Sequence, residues 1–179
     1  NSKVTTSTGF YDFPIEQSLR FNGSSYLSRI PSSAGNRKTW TWSSWVKRSK
    51  LSQTQGVFTG NDLEFYLSGS NILGAQDDGG SVYLSSAVLR DTSAFYHLVI
   101  KFDAANTSVN VYLNGVDIDL PTKNISNNDY SVNNTVSHYI GSRNNNIDKF
   151  YGYMAEINFI DGYKTGSTVA THDDFGEQK

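Results

Sequence analysis

The chain has 179 residues with 15 basic and 17 acidic side chains, a net charge of −2, and no cysteine. A length below about 250 residues fits one domain with a single core. The balanced charge is spread along the chain and argues against a nucleic-acid or anionic-membrane partner. The lack of cysteine excludes disulfides and thiolate metal sites. No apolar run approaches the ~18 residues of a membrane span, so we expect no membrane insertion.

Short alternating runs of aromatic and β-branched residues recur between clusters of Gly, Asn, Asp and Ser. This pattern predicts antiparallel strands joined by turns, in a sandwich or barrel, with no helix of convincing length. The predicted strands are residues 18–21, 26–27, 39–47, 55–59, 63–68, 71–75, 81–85, 96–103, 108–113, 116–120, 138–140 and 151–160.

The stretch WTWSSWVK in the third predicted strand holds all three tryptophans of the chain. Because side chains alternate along a strand, Trp40, Trp42 and Val46 share one face and Trp45 points to the other. We therefore expect Trp40 and Trp42 in the core. Trp45 is a candidate platform for stacking a sugar ring.

Two glycine-containing strings predict tight turns. Asn114-Gly115 supplies the two positive-φ residues that a type I′ hairpin needs. Asp77 and Asp78 precede two glycines and offer two adjacent oxygen ligands, so they are weak candidates for calcium. The same string is typical of a hairpin turn, and two carboxylates leave most of the roughly six to eight calcium ligands unfilled. We expect a turn first and calcium second, with no other cofactor.

Between residues 121 and 146 the chain is rich in Asn and Ser and poor in apolar residues, which predicts long ordered loops. The loop residues Arg143, Asn144 and Asn145 could bond sugar hydroxyls. The three histidines, His97, His138 and His172, lie far apart and without metal-ligand spacing. We interpret His97 as a packing residue of its strand.

Three strings carry a family resemblance: WTWSSWVKR, FYHLVIKFDAANTSVNVYLNGV and FYGYMAEINFIDG. Together they resemble the laminin G-like branch of the concanavalin A-like lectin and glucanase jelly rolls, over most of residues 18–162. The resemblance implies an all-β, two-sheet antiparallel jelly-roll sandwich. We expect residues 1–179 to form one such domain, with residues 1–17 as an N-terminal extension and 163–179 as a C-terminal tail.

A narrower resemblance joins the two ends of the chain. The string SLRFNGSSYLSRIPSSAGNRKTWTWSSWVKR, together with AEINFIDG and a final DFGE, is similar to domains in tail and other virion proteins of bacteriophages. It implies a module of a longer virion protein at the surface of the particle. The first residue is Asn1 and the only methionine is Met154, so we expect a processed or cut chain. Similar domains run more directly from the FIDG string to the FGE string, whereas YKTGSTVATHDD lies between them here. The resemblance therefore implies no site near Tyr163.

The related glucanases carry alternating carboxylates near the pattern Glu-x-Asp-x-Glu. The nearest strings here are Asp62-x-Glu64 and Asp117-x-Asp119, and neither has the third carboxylate. We therefore interpret them as solvated strand residues and expect no catalysis.

The resemblance and the alternation together favour a non-enzymatic virion module that binds host-surface glycan. The candidate ligand residues are Trp45, Glu64, Tyr66, Arg143, Asn144 and Asn145. The alternative is a decoration domain in which Trp45 or Tyr163 meets another capsid or tail protein, and a depolymerase using Glu64 is a weaker third hypothesis. Phage appendages are commonly symmetric, so we also expect a homo-oligomer.

Overall fold

The computed structural model describes residues 17–162, apart from the side chain of Asn145. The described chain has thirteen strands and two short 3₁₀ helices, at Ala104–Asn106 and Asn144–Asn146. The strands are β1 Leu19–Asn22, β2 Leu27–Arg29, β3 Thr39–Arg48, β4 Gln55–Gly60, β5 Leu63–Leu67, β6 Ile72–Asp77, β7 Gly80–Val88, β8 Tyr96–Asp103, β9 Ser108–Leu113, β10 Val116–Asp117, β11 Thr122–Lys123, β12 His138–Ile140 and β13 Tyr151–Asp161.

The strands form two antiparallel sheets. The six-stranded sheet has the order β1-β13-β3-β8-β9-β10, and the seven-stranded sheet has the order β11-β7-β6-β5-β4-β12-β2. The prediction of an all-β, two-sheet jelly-roll sandwich is confirmed. No helix within residues 17–162 is long and apolar enough to cross a membrane.

The tryptophans of β3 divide between its two faces as alternation predicts. Trp40 stacks on Phe102 with ring centroids 4.7 Å apart, and Trp42 stacks on Phe58 at 5.7 Å. Both tryptophans are fully buried between the sheets, which confirms the core prediction. Trp45 lies on the opposite face of β3 and stacks on His97 at 4.7 Å.

Both predicted turns are present. Asn114 and Gly115 have φ of 51° and 79°, as a type I′ hairpin requires. Asp78 and Gly79 have φ of 45° and 80° and connect β6 to β7.

The prediction of continuous loop after Pro121 is wrong at β11. Thr122 and Lys123 pair with Leu84 and Tyr83 of β7. Two residues are too few to show an alternating pattern, and the free edge of β7 supplies the hydrogen bonds that fix them in the sheet. Strand 138–140 was predicted with its observed bounds.

Candidate functional site

The outer face of the seven-stranded sheet, which points away from the core, carries a polar cluster at the middle of β5. Glu64 and Tyr66 point outward here, whereas Leu63, Phe65 and Leu67 are fully buried on the inner side. The register places Gln76 of β6 beside Glu64. A sheet with one wet side produces this division of polar and apolar residues.

Glu64 is the centre of this cluster. Its Oε2 atom accepts hydrogen bonds from Arg143 Nε at 3.0 Å, Arg143 Nη2 at 2.6 Å and Gln76 Nε2 at 2.7 Å. Its Oε1 atom accepts the backbone N–H of Asn144 at 2.8 Å. Glu64 is only 5% exposed. The interpretation of Glu64 as a solvated strand residue is therefore wrong, because a loop distant in sequence covers it and supplies its donors.

Arg143 joins Glu64 to a second carboxylate. Arg143 Nη1 donates to Asp148 Oδ2 at 2.9 Å, and the guanidinium carbon lies 5.2 Å from the centre of the Tyr66 ring. Burial opposes the charge of Arg143, but the bonds and charges of Glu64 and Asp148 raise its pKa above the usual value. The guanidinium is thus a permanent cation between two anions. We call Glu64, Gln76, Arg143, Asn144 and Asp148 the Glu64 network.

Burial also raises the pKa of Tyr66, an effect that the Arg143 charge opposes and the Glu64 charge reinforces. The phenol therefore keeps its proton at neutral pH. The Tyr66 ring is half-buried. It lies beside Leu84 over Gly74, because a Cβ added at Gly74 would come close to both side chains. An aromatic ring with an apolar neighbour on one side and fixed polar groups on the other suits a ligand with both C–H and O–H faces.

The loop that carries Arg143 is held down on β4. Thr59 Oγ1 donates to the carbonyl of Ser142 at 3.1 Å, and Gly56 N donates to the carbonyl of Asp148 at 2.7 Å. A Cβ at position 56 would collide with the backbone of Ser142 and Arg143. Glycine at this position therefore lets the loop lie against the strand, which brings Arg143 over Glu64.

The side chains of this cluster differ in how far solvent reaches them. Buried side chains position their neighbours, and exposed ones can contact a ligand. The Glu64 side chain is 7% exposed, that of Arg143 16% and that of Asp148 36%. Gln76 and Tyr66 are half-buried. Tyr66, Gln76, Asp148 and the rim of Arg143 are accessible, whereas the buried Glu64 holds Gln76 and Arg143 in place.

The structure brings together four of the six predicted ligand residues. Glu64, Tyr66, Arg143 and the backbone of Asn144 meet on the outer face. Trp45 lies in the other sheet and is 8% exposed. The side chain of Asn145, together with Tyr163 and His172, lies outside the described part of the chain. Sequence reasoning missed Gln76 and Asp148; the register of β5 with β6 and the fold of the loop identify them.

The remaining carboxylates do not form a metal-binding cluster in the described structure. Within residues 17–162 there is no group of three or more His, Cys, Asp or Glu side chains that could hold a metal ion. Burial raises the pKa of Asp77, and the neighbouring charges of Asp62 and Asp78 add to this effect. Asp117 accepts a bond from Asn110 Nδ2 at 3.0 Å on the other sheet. Calcium at Asp77 and Asp78 stays a prediction.

The chain also matches a model of a known protein family. A family model described as the concanavalin A-like lectin/glucanases superfamily matches residues 21–170. The chain belongs to this superfamily. No curated protein sequence matches the chain.

Solved structures share the concanavalin A-like fold at low sequence identity. A candidate carbohydrate-binding protein of Bacteroides ovatus superposes with a TM-score of 0.65 at 16% identity, over 85% of this chain and 44% of its own. The CBM40 of the Ruminococcus gnavus IT-sialidase gives 0.60 at 15%, over 83% and 96%. Domain 4 of AbnA, a GH43 arabinanase of Geobacillus stearothermophilus solved with arabinotriose, gives 0.59 at 20%, over 81% and 70%. This chain thus spans less than half of the Bacteroides protein and nearly all of the CBM40.

Proposed function

We propose that this domain binds glycan on the outer face of the seven-stranded sheet and does not cleave it. The observation that carries the proposal is the Glu64 network, which fixes Arg143 beside the Tyr66 ring. Sugars need an aromatic surface for their C–H groups and rigid polar partners for their hydroxyls. Fixing those partners before binding lowers the entropy lost on association.

The printed descriptions of the structural neighbours support a glycan ligand. One is described as a candidate carbohydrate-binding protein, one is a CBM40 of a sialidase, and one is an arabinanase domain in complex with arabinotriose. The identities are too low to transfer a particular sugar. They favour glycan binding as the class of function.

The environment of Glu64 favours binding over hydrolysis. Glu64 accepts four hydrogen bonds, three of them on Oε2, and it is nearly inaccessible. A general acid or nucleophile must reach the glycosidic bond. A polysaccharide turnover that disappears in Glu64→Gln would contradict this part of the proposal.

We place the domain on a bacteriophage particle, where it would bind host-surface glycan during attachment as part of a homo-oligomer. The support is the resemblance of both ends of the sequence to domains of virion proteins. A particle map tests this location. Density for the domain at the tail tip supports attachment, and density on the shell supports decoration.

A decoration domain that contacts other virion proteins is the second candidate. It is favoured by a groove of about 510 Å³ at the β2 and β12 edge of the sandwich. Leu27 and Phe159 line this groove and are 46% and 38% exposed, and the adjacent Ile30 is 64% exposed. Exposed apolar patches of this kind mark contact surfaces. Burial of these three residues against another chain in the particle would support the alternative.

A glycan array tests the binding face directly. We expect the domain to bind at least one host polysaccharide and Tyr66→Ala to weaken binding by about tenfold or more, which corresponds to ~1.4 kcal/mol. Tyr153→Ala is the matched control, because Tyr153 is also half-buried but lies on β13 of the other sheet. Absence of binding to every host glycan, with and without calcium, would contradict the proposal.

A further inference from the structure

We propose that the outer face selects neutral glycans and rejects glycans that carry carboxylate or sulfate groups. This inference rests on the proposed function and concerns the same face. Its basis is the charge of the groups that surround the Tyr66 ring and the state of their hydrogen bonds.

Arg143, the cation of this face, already bonds to two carboxylates of the protein. Three of the five N–H donors of Arg143 bond to carboxylates: Nε and Nη2 to Glu64, and Nη1 to Asp148. Nε and Nη2 both donate to Oε2 of Glu64, so one of the two edges through which a guanidinium can bind a carboxylate is taken. A second anion at the remaining N–H groups would lie beside Glu64 and Asp148, which already balance the Arg143 charge. We therefore expect Arg143 to donate to neutral sugar hydroxyls rather than to receive an anion.

The accessible groups include carbonyl and carboxylate acceptors. Gln76 donates one N–H of its Nε2 to Glu64, which leaves its carbonyl oxygen and its second N–H for a ligand. Asp148 uses Oδ2 for Arg143, and its side chain is 36% exposed. Hydroxyl groups of a neutral sugar supply the protons that these oxygens need. A carboxylate or sulfate brings only further acceptors.

The surrounding charges reinforce this preference. Asp62, Asp77 and Asp78 lie within two residues of Glu64 or Gln76 at the same end of β5 and β6. Arg143 is paired with Glu64 and Asp148, and these three aspartates add further negative charge beside the face. Lys149, next to Asp148 in sequence, lies over the Tyr26 ring with Nζ 5.7 Å from its centre. Because carboxylates outnumber cations in and beside the Glu64 network, we expect this face to repel anionic ligands.

Matched sugar pairs measure the selectivity. The probes are methyl-esterified polygalacturonate with polygalacturonate, dextran with dextran sulfate, and lactose with 3′-sialyllactose, titrated calorimetrically at low and high salt. We expect the neutral member of at least one pair to bind about tenfold or more tighter at low salt. Added salt should narrow this gap because it screens the repulsion.

Protein variants that lack one carboxylate provide a second test of the selectivity with the same sugar pairs. Asp148→Asn should reduce the preference for the neutral member at least about threefold, since it removes the more accessible of the two carboxylates in the Glu64 network. Asp117→Asn is the matched control, because Asp117 is an exposed carboxylate on the other sheet, and it should leave the preference unchanged.

The outcomes separate this inference from the proposed function. If an acidic sugar binds as tightly as its neutral partner and Tyr66→Ala abolishes this binding, the charge selectivity is overturned. The proposal of glycan binding on this face would stand. Failure of both members of every pair to bind, together with absence of binding on the glycan array, contradicts the proposed function, and the inference with it.

Discussion

Glu64 is the buried side chain that fixes the accessible groups of the proposed binding face. It is 5% exposed, yet its two oxygens hold Gln76, Arg143 and the backbone of Asn144 in fixed positions. Partly buried ion pairs contribute little net stability, but removing one partner leaves the other without compensation. The effect of a substitution at Glu64 therefore reports on the whole network.

Glu64→Gln should lower the free energy of unfolding by about 2–4 kcal/mol. The reason is that the new amide NH₂ would face donors from Arg143 and Gln76, and the Arg143 charge would lose one of its two carboxylates. Urea unfolding of the two proteins measures the difference. Asp119→Asn is the control and should stay within about 0.5 kcal/mol, because Asp119 makes no side-chain bond within the described structure. Equal values for both variants would contradict this role of Glu64.

His138 should make stability depend on pH. Burial lowers its pKa, the bond to the Val136 carbonyl opposes this, and Arg29 adds to the lowering. The neutral ring accepts the backbone N–H of Asn133 at Nε2, 2.9 Å away. Because the unfolded histidine, with a pKa near ~6.5, binds the proton more readily than the folded one, this contribution is fully present above that pH. It is lost as the pH falls from there through the folded pKa.

The measurement is the melting temperature from pH 8 to pH 5 for the natural chain and His138→Gln. We expect the two curves of melting temperature against pH to have the same slope above about pH 6.5. Below that pH the melting temperature of the natural protein should fall more steeply than that of His138→Gln. His97 and His172 are present in both proteins, so the difference isolates His138. Parallel curves over the whole range would refute the assignment.

At the scale of elements, the contact between β4 and the loop after β12 assembles the proposed binding face. Strand β4 pairs with β5 on one side and β12 on the other, so the loop leaving β12 passes over β4 and reaches Glu64 of β5. Gly56 permits this passage because it has no Cβ. The face is thus built by the order β5-β4-β12, and each strand contributes through its position.

Gly56→Ala should lower the free energy of unfolding by about 1–3 kcal/mol and weaken glycan binding. The added methyl group would collide with the backbone of Ser142 and Arg143, which cannot yield as a flexible side chain would. Gly69→Ala is the control, since the nearest atom to its Cβ would be Ser52 O at an ordinary 3.8 Å. Denaturant unfolding and glycan titration of both variants test this, and an unchanged affinity in Gly56→Ala would show that the loop does not depend on this contact.

At the scale of the molecule, the last described strand completes the six-stranded sheet. Strand β13 lies between β1 and β3, so the two ends of the described chain meet within one sheet. Pairing of distant segments closes long loops, which slows folding and makes unfolding cooperative. The outer face on the opposite sheet depends on this closure through the shared core.

A chain that ends at Phe150 should fail to fold, because β1 and β3 would both lose a partner. Near-UV circular dichroism of the buried Trp40 and Trp42 should be lost, and glycan binding with it. Adding a synthetic peptide of residues 151–179 should restore both signals, since the missing strand would be supplied. A truncated chain that still unfolds cooperatively would contradict this central place of β13.

The sequence by itself determined most of the strands and the division of their faces, although it missed β11 and extended β10 beyond Asp117. The predicted bounds 96–103, 108–113 and 138–140 match the observed strands, and Trp40 and Trp42 lie in the core as predicted. Alternation and turn residues are local properties, so they can be recognised along the chain without knowing which strands are neighbours. Alternation also made Glu64 and Tyr66 candidates, and Arg143 was a candidate because it lies in a polar loop.

Only the tertiary structure decided which of these residues form a site. Arg143 and Glu64 are 79 positions apart, and the strand order brings them within 2.6 Å. The same order gives Gln76 and Asp148 their roles and leaves Trp45 on the other sheet. Sheet order depends on pairing between distant strands, and local side-chain patterns do not encode which strands become neighbours.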